Sequence, residues 1–232
     1  MKKRPDINRF ALLDYDFAAF QPGMCVADIG CGKGGQLRKL ASRGCIAVGL
    51  DPDLERVGMG AERGLKVVAG HAEQLPFRRE VFDGVICKVT IPYTAEHLVF
   101  PEIARVLKPG GTAQLCYMGA GFYLRLLVLG QGGWLKQRFY GFKTLVNTWL
   151  FALTGRTLPG YWGDTLYQSQ RRLRKYYAGN RLTLLRETPS KTFFGLPVFI
   201  YHTVQAPQNV RWQPFTKPAA EDADRLLTPV AS

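Results

Sequence analysis

The stretch that most constrains this chain is Val26 to Leu40, VADIGCGKGGQLRKL. It reads as a short apolar strand, Met24 to Ile29, carrying an acid at Asp28, then a glycine turn, then a helix. An apolar run of this length suits a central parallel strand covered on both faces. Gly30, Gly32, Gly34 and Gly35 permit backbone angles and close approaches that a side chain would forbid. Leu37, Leu40 and Ala41 form the inner face of the helix, and Gly44 suits the position just past its end. A strand, a glycine turn and a helix in that order commit the chain to an α/β architecture, with any ligand at the carboxyl end of the strand.

The following 80 residues repeat the alternation. Cys45 to Asp51 is a second strand, ending in an acid 21 residues after Gly30. A carboxylate at that tip is placed to accept both hydroxyl hydrogens of a ribose; the plainer alternative is that Asp51 caps the helix opened by Pro52 and Asp53. Lys66 to Ala69 is a third strand and Val81 to Thr90 a fourth. His97 to Gly111 is a helix running into a Pro-Gly-Gly turn, with Ile103, Val106 and Leu107 facing the core. Thr112 to Gly119 is a fifth strand. Five strands alternating with helices predict a doubly wound, mostly parallel sheet. Upstream, Phe10, Leu13, Phe17 and Phe20 give residues 7–20 helical spacing. That helix either covers one end of the sheet or brings Tyr15 or Phe17 over a ligand.

Gly30, Gly32 and Gly35 also satisfy GxGxxG, which permits a dinucleotide-binding reading. The wider set is more specific. DIGCGKG, GLD, AGHAEQLPF, VFDGVIC and EIARVLKPGG stand here in the order and spacing of Rossmann-like S-adenosylmethionine-dependent methyltransferases. Over residues 20–120 the chain resembles that class, nearest the group containing the ubiquinone and menaquinone biosynthesis methyltransferases. The resemblance implies a seven-stranded sheet closed by an antiparallel pair, S-adenosylmethionine as cofactor and S-adenosylhomocysteine as product. It implies that Asp28, Gly30, Cys31 and Gly32 border the methionine moiety, that Asp51 binds the ribose and that Pro52 packs beside the adenine. Ala72 would offer its N–H to the adenine ring, and Cys87 with Lys88 would line the floor. His71 stands where the family usually has Asp; a neutral imidazole has one acceptor nitrogen for the adenine amino group, and Glu73 is the other candidate.

Beyond Gly121 the resemblance stops and the charge changes. Residues 1–121 carry 16 basic and 13 acidic side chains, whereas 122–232 carry 15 and 5. Residues 122–181 alone hold ten basic residues against one acid, Asp164, so the basic character is local and suits an anionic partner. Apolar runs at Leu126 to Leu129 and Trp149 to Leu153 alternate with Arg125, Lys136, Arg138, Lys143 and Arg156. Two or three helices in 122–160 are expected, packed over the site as a lid, with a basic aromatic face for an anionic membrane surface or an amphipathic acceptor. The apolar runs exceed what a groove tracking nucleic-acid phosphates needs. Asp164 is the expected cap of a helix ending at Gly179, and Leu182 to Phe194 with Leu196 to Gln205 the last two strands. The expected divisions are a cofactor-binding half at 1–121, the lid and last helix at 122–178, the strand pair at 179–206 and a mobile tail at 207–232.

An apolar share of 47% excludes global disorder, and no segment approaches the roughly 20 apolar residues of a spanning helix. The basic start runs into Asp14 and Asp16, unlike a secretory signal, so a cytoplasmic protein is expected, with peripheral membrane contact as an extension. Cys25, Cys31, Cys45, Cys87 and Cys116 include no CxxC pair, so reduced thiols and no metal are expected. For such an enzyme, methyl transfer needs mainly alignment and exclusion of water. A hydroxyl acceptor would also use a base; His97, His202, Glu73 and Tyr93 are candidates, and none sits in a motif that fixes a catalytic role. Ile91-Pro92-Tyr93 is similar to an Asn/Asp-Pro-Pro-Tyr signature but lacks its first residue. The expected activity is methylation of a small or amphipathic acceptor, on oxygen. The alternatives are an RNA methyltransferase, or a non-catalytic cofactor-binding or membrane-surface module.

Overall fold

The computed structural model describes residues 19–130, 134–154, 158 and 168–208. Residues 7–18 of the predicted helix, with Tyr15 and Phe17, the Asp164 cap and the tail from 209 lie outside these. Among the described residues the chain runs β1 (Cys25–Ile29), α1 (Gly35–Ser42), β2 (Ile46–Asp51), α2 (Leu54–Ala61), β3 (Val67–Ala69), β4 (Phe82–Lys88), a 3-10 turn (Ile91–Tyr93), α3 (Glu96–Val106) and β5 (Leu107–Met118). Then come α4 (Ala120–Leu129), α5 (Trp134–Thr154), α6 (Gln170–Gly179), β6 (Thr183–Pro189), β7 (Thr192–Phe193), β8 (Leu196–Pro197) and β9 (Phe199–Gln205).

Seven strands form one sheet in the order β3-β2-β1-β4-β5-β9-β6. β3, β2, β1, β4 and β5 are parallel, and β9 is antiparallel to both β5 and β6. The order reverses at β1, so the carboxyl ends of β1 and β4 flank a crevice. Side chains alternate between two cores. Cys25, Ala27 and Ile29 of β1 with Leu115 and Tyr117 of β5 meet α3 and α6 on one face. Val26 and Ile86, with Cys116 and Met118, meet Leu40 of α1 and Phe122 and Leu126 of α4 on the other.

Three segments depart from the sequence reading. The Lys108–Gly111 stretch, expected to be a turn, lies inside β5: Phe82 pairs with Leu107 and Gly84 with Thr112, with an irregularity between. It can do so because Gly111 has no side chain; a Cβ there would lie 2.9 Å from the Lys108 carbonyl and 3.1 Å from that of Phe82. The expected strand Leu182–Phe194 ends at Pro189, whose ring nitrogen has no hydrogen to continue a ladder. Beyond it β7 and β8 make a separate ribbon around Phe194 and Gly195, at φ 48° and 75°, a left-handed pair suited to a two-residue hairpin. Finally, α6 is capped by Ser169, whose hydroxyl accepts from Arg172 N–H.

α4 and α5 fall in the stretch expected to hold the lid. They meet backbone to backbone at Gly141, where a Cβ would stand 2.6 Å from the Tyr123 carbonyl oxygen.

Candidate active site

The glycine turn is held against the tip of β2. Gly30 and Cys31 N–H both donate to the Leu50 carbonyl, at 2.7 and 3.0 Å. Gly32 N–H donates to Asp51 Oδ2 at 2.9 Å, while Asp53 N–H donates to Asp51 Oδ1 at 3.0 Å. A carboxylate offers about four lone-pair positions, so these bonds leave roughly two for another donor. Asp53 in turn caps α2, accepting from Glu55 and Arg56 N–H. The two neighbouring acids thus divide the tasks that the sequence left undecided: Asp53 caps, and Asp51 fixes the loop.

The glycines differ in what they require. At Gly30 a Cβ would lie 2.0 Å from Thr90 Oγ1, so the turn lies hard against the residue after β4. Thr90 Oγ1 donates across to the Ile29 carbonyl at 3.2 Å and locks the ends of β1 and β4 together. At Gly32, φ is 56° and a Cβ would meet nothing within 4 Å, so this side of the loop is open to an approaching ligand. Val89 holds φ 56°, a strained angle for a β-branched residue, at the carboxyl end of β4.

A pocket opens here, lined by Gly30, Leu50, Pro52, His71, Ala72, Glu73, Thr90, Tyr93 and Thr94. Of the residues singled out from the sequence it gathers Gly30, Pro52, His71, Ala72 and Glu73, together with Tyr93 from the base candidates. Glu73 Oε1 accepts from Ala95 N–H at 3.0 Å, which ties the pocket wall to the start of α3. Asp28, Cys31, Gly32, Asp51, Cys87 and Lys88 are outside this lining. Asp28 and Asp51 are buried beside it, and Cys87 is fully enclosed in the core. Thr90 and Thr94 carried no signal beyond following a strand end, and Leu50 contributes from within an apolar run.

Burial raises the Asp28 carboxyl to about 7, against the opposing pull of Lys88 and with reinforcement from Asp51. Lys88 is itself lowered by burial, with Cys116 and Asp28 acting the other way. The thiols of Cys31 and Cys87 are pushed up to about 12, chiefly by burial, so both stay protonated and unreactive. Among the described residues no cluster of three or more His, Cys, Asp or Glu side chains could hold a metal.

The remaining base candidates separate. His97 is exposed on α3. His202 is buried, with Nδ1 2.7 Å from the Tyr177 hydroxyl, which is 2.8 Å from that of Tyr117. Glu187 stands 3.6 Å from its Nε2, yet burial outweighs that carboxylate and lowers His202 to about 4, so the ring is neutral near pH 7. It braces the antiparallel end of the sheet.

α5 turns a polar side inward: Lys143, Thr144, Asn147 and Thr148 are buried. Lys143 Nζ lies 5.6 Å from the Tyr140 ring centre. Burial, with the phenols of Tyr140 and Tyr93 close by, raises Tyr123 well above its ordinary value. Through these tyrosines the inner side of α5 reaches the pocket wall at Tyr93.

Residues 27–115 match the family model described as "Methyltransferase domain". The chain resembles the Rossmann-like S-adenosylmethionine-dependent methyltransferases. The chain is 39% identical over 92 residues to the malonyl-[acyl-carrier protein] O-methyltransferase of Herminiimonas arsenicoxydans, covering 39% of this chain and 35% of that one. It is 33% identical over 97 residues to the demethylmenaquinone methyltransferase of Corynebacterium kroppenstedtii, covering 41% and 42%. The chain thus spans about two fifths of the length of these relatives. A SAM-dependent methyltransferase of Methanosarcina mazei superposes with a TM-score of 0.59 at 19% identity, over 90% of this chain and all of that one, which establishes the fold.

Proposed function

We propose that the chain is an S-adenosylmethionine-dependent methyltransferase acting on a small or amphipathic acceptor, with oxygen receiving the methyl group. The observation that carries the cofactor is Asp51. Its carboxylate is fixed by Gly32 and Asp53 N–H and keeps lone pairs for the two hydroxyls of a ribose. The open side of Gly32 accommodates the rest of the molecule, so the residues present fit the group. Asp28 would receive the ammonium end, since a neighbouring cation favours ionisation of a carboxyl poised near 7. Pro52 and Ala72 would border the adenine, with His71 or Glu73 accepting from its amino group. When bound, the cofactor supplies a methyl group on a sulfonium, a leaving group already activated by its charge.

What the chain adds is alignment and a dry surrounding. Tyr93, Tyr123 and Tyr140 close the space between the pocket and α5, and Glu73 and Tyr93 are the candidates within the lining that could take a hydroxyl proton. Oxygen as acceptor is supported by the malonyl relative, which is named an O-methyltransferase.

Calorimetry with S-adenosylhomocysteine tests the assignment. The wild type should bind it, and Asp51→Ala should bind at least about tenfold more weakly through loss of two charge-assisted hydrogen bonds. No binding by the wild type, or equal binding by the variant, overturns it.

A further inference from the structure

The outer side of α5 is the more unusual one. A surface helix ordinarily buries its apolar stripe and shows water its polar side. α5 does the reverse. Leu135, Phe139, Phe142, Val146, Trp149 and Leu153 recur at alternating steps of four and three and so share one face. Leu135, Trp149 and Leu153 are 71%, 65% and 64% exposed, and Phe139 and Phe142 are also exposed, whereas Thr144 and Asn147 on the opposite side are 0% exposed. At 1.5 Å per residue this apolar line is about 27 Å long. Leu129 at the end of α4 and Phe194 at the tip of the ribbon are exposed as well. No helix among the described residues is long and apolar enough to cross a membrane, so the stripe is not half of a span.

We infer that the outer face of α5 docks flat on an anionic lipid bilayer. An exposed line of Leu, Phe and Trp is the pattern of a helix lying in the bilayer interface, where aromatic rings are favoured. Charge selects the lipid over a second copy of this chain. α5 holds no acidic residue and Lys136 is exposed beside the apolar line, so two such faces bring no opposite charges together, while an anionic surface would attract this one. Exposed Lys136 lies one turn from Phe139, and exposed Lys191 leads into the ribbon, so cations are present beside the apolar line. The orientation also turns the polar side of α5 inward, where its Tyr140 meets Tyr123 of α4.

Flotation of the full chain with vesicles tests this without donor or acceptor, and so independently of the proposed reaction. Wild type should float with phosphatidylcholine vesicles containing phosphatidylglycerol and about tenfold less with phosphatidylcholine alone. Phe142→Glu/Trp149→Glu should lose about tenfold or more of the anionic-vesicle binding while keeping the wild-type circular-dichroism melting transition. If that variant does not melt cooperatively, Leu135→Glu/Leu153→Glu carries the same expectation at the two most exposed ends of α5. The inference is overturned if wild type fails to float with anionic vesicles at low ionic strength, or if a folded variant floats equally well. A wild-type dimer in sedimentation that these substitutions dissociate, without vesicle binding, would assign the face to a second copy instead.

Discussion

Asp28 is the residue with most at stake. Its carboxyl goes from an ordinary 3.8 to about 7 because burial disfavours the charge more than Lys88 favours it. Below pH 4 it is protonated folded or unfolded and contributes no slope. Between pH 4 and 7 the unfolded chain releases a proton that the native protein keeps, so native stability falls as pH rises. Asp28→Asn removes this contribution. Urea unfolding of both proteins should show the variant gaining about 2 kcal/mol on wild type between pH 5 and pH 7; an unchanged difference would mean that Asp28 is ionised throughout. That such an acid stands beside the glycine turn was legible in the sequence, and so was the position of Asp51 at the tip of β2. Thr90 was not legible. Its contacts with Gly30 and Ile29 cross from one strand to another, and no local pattern encodes that distance.

At the scale of elements, periodicity located most strands and helices but not what interrupts them. The irregular start of β5 depends on Gly111 meeting the carbonyls of Lys108 and Phe82, and the ribbon depends on Pro189 ending a ladder. The α5 stripe was present as spacing, yet spacing cannot say which side is buried; the close approach at Gly141 decides that. Capping separates two adjacent acids. Asp53→Ala removes an oxygen that accepts from Glu55 and Arg56 N–H, which should cost about 1 kcal/mol in denaturant unfolding. The backbone N–H of residue 53 still reaches Asp51, so affinity for S-adenosylhomocysteine should stay within about twofold. A large loss of affinity would place Asp53 in the site itself.

Across the whole molecule all five cysteines are buried and outside any disulfide, Cys25 and Cys87 in one core, Cys45 and Cys116 in the other and Cys31 in the glycine turn. A thiol reagent should therefore label them only as the native state opens, and all five should appear with denaturant along the same transition that circular dichroism reports. A thiol modified rapidly in native buffer would mark a local opening. The parallel half of the sheet was legible because each strand announces its helix. The antiparallel half is joined by Tyr117, Tyr177, His202 and Glu187, drawn from β5, α6, β9 and β6, and their pairing is visible only once the chain has folded. β9 also lies between β5 and β6, although it follows both in the chain. During synthesis the outer edge of β5 therefore has no strand to pair with until residues 199–205 have been made, and β6 waits with it. A nascent chain halted before that point carries an open sheet edge, a template for aggregation that only the last strand can close.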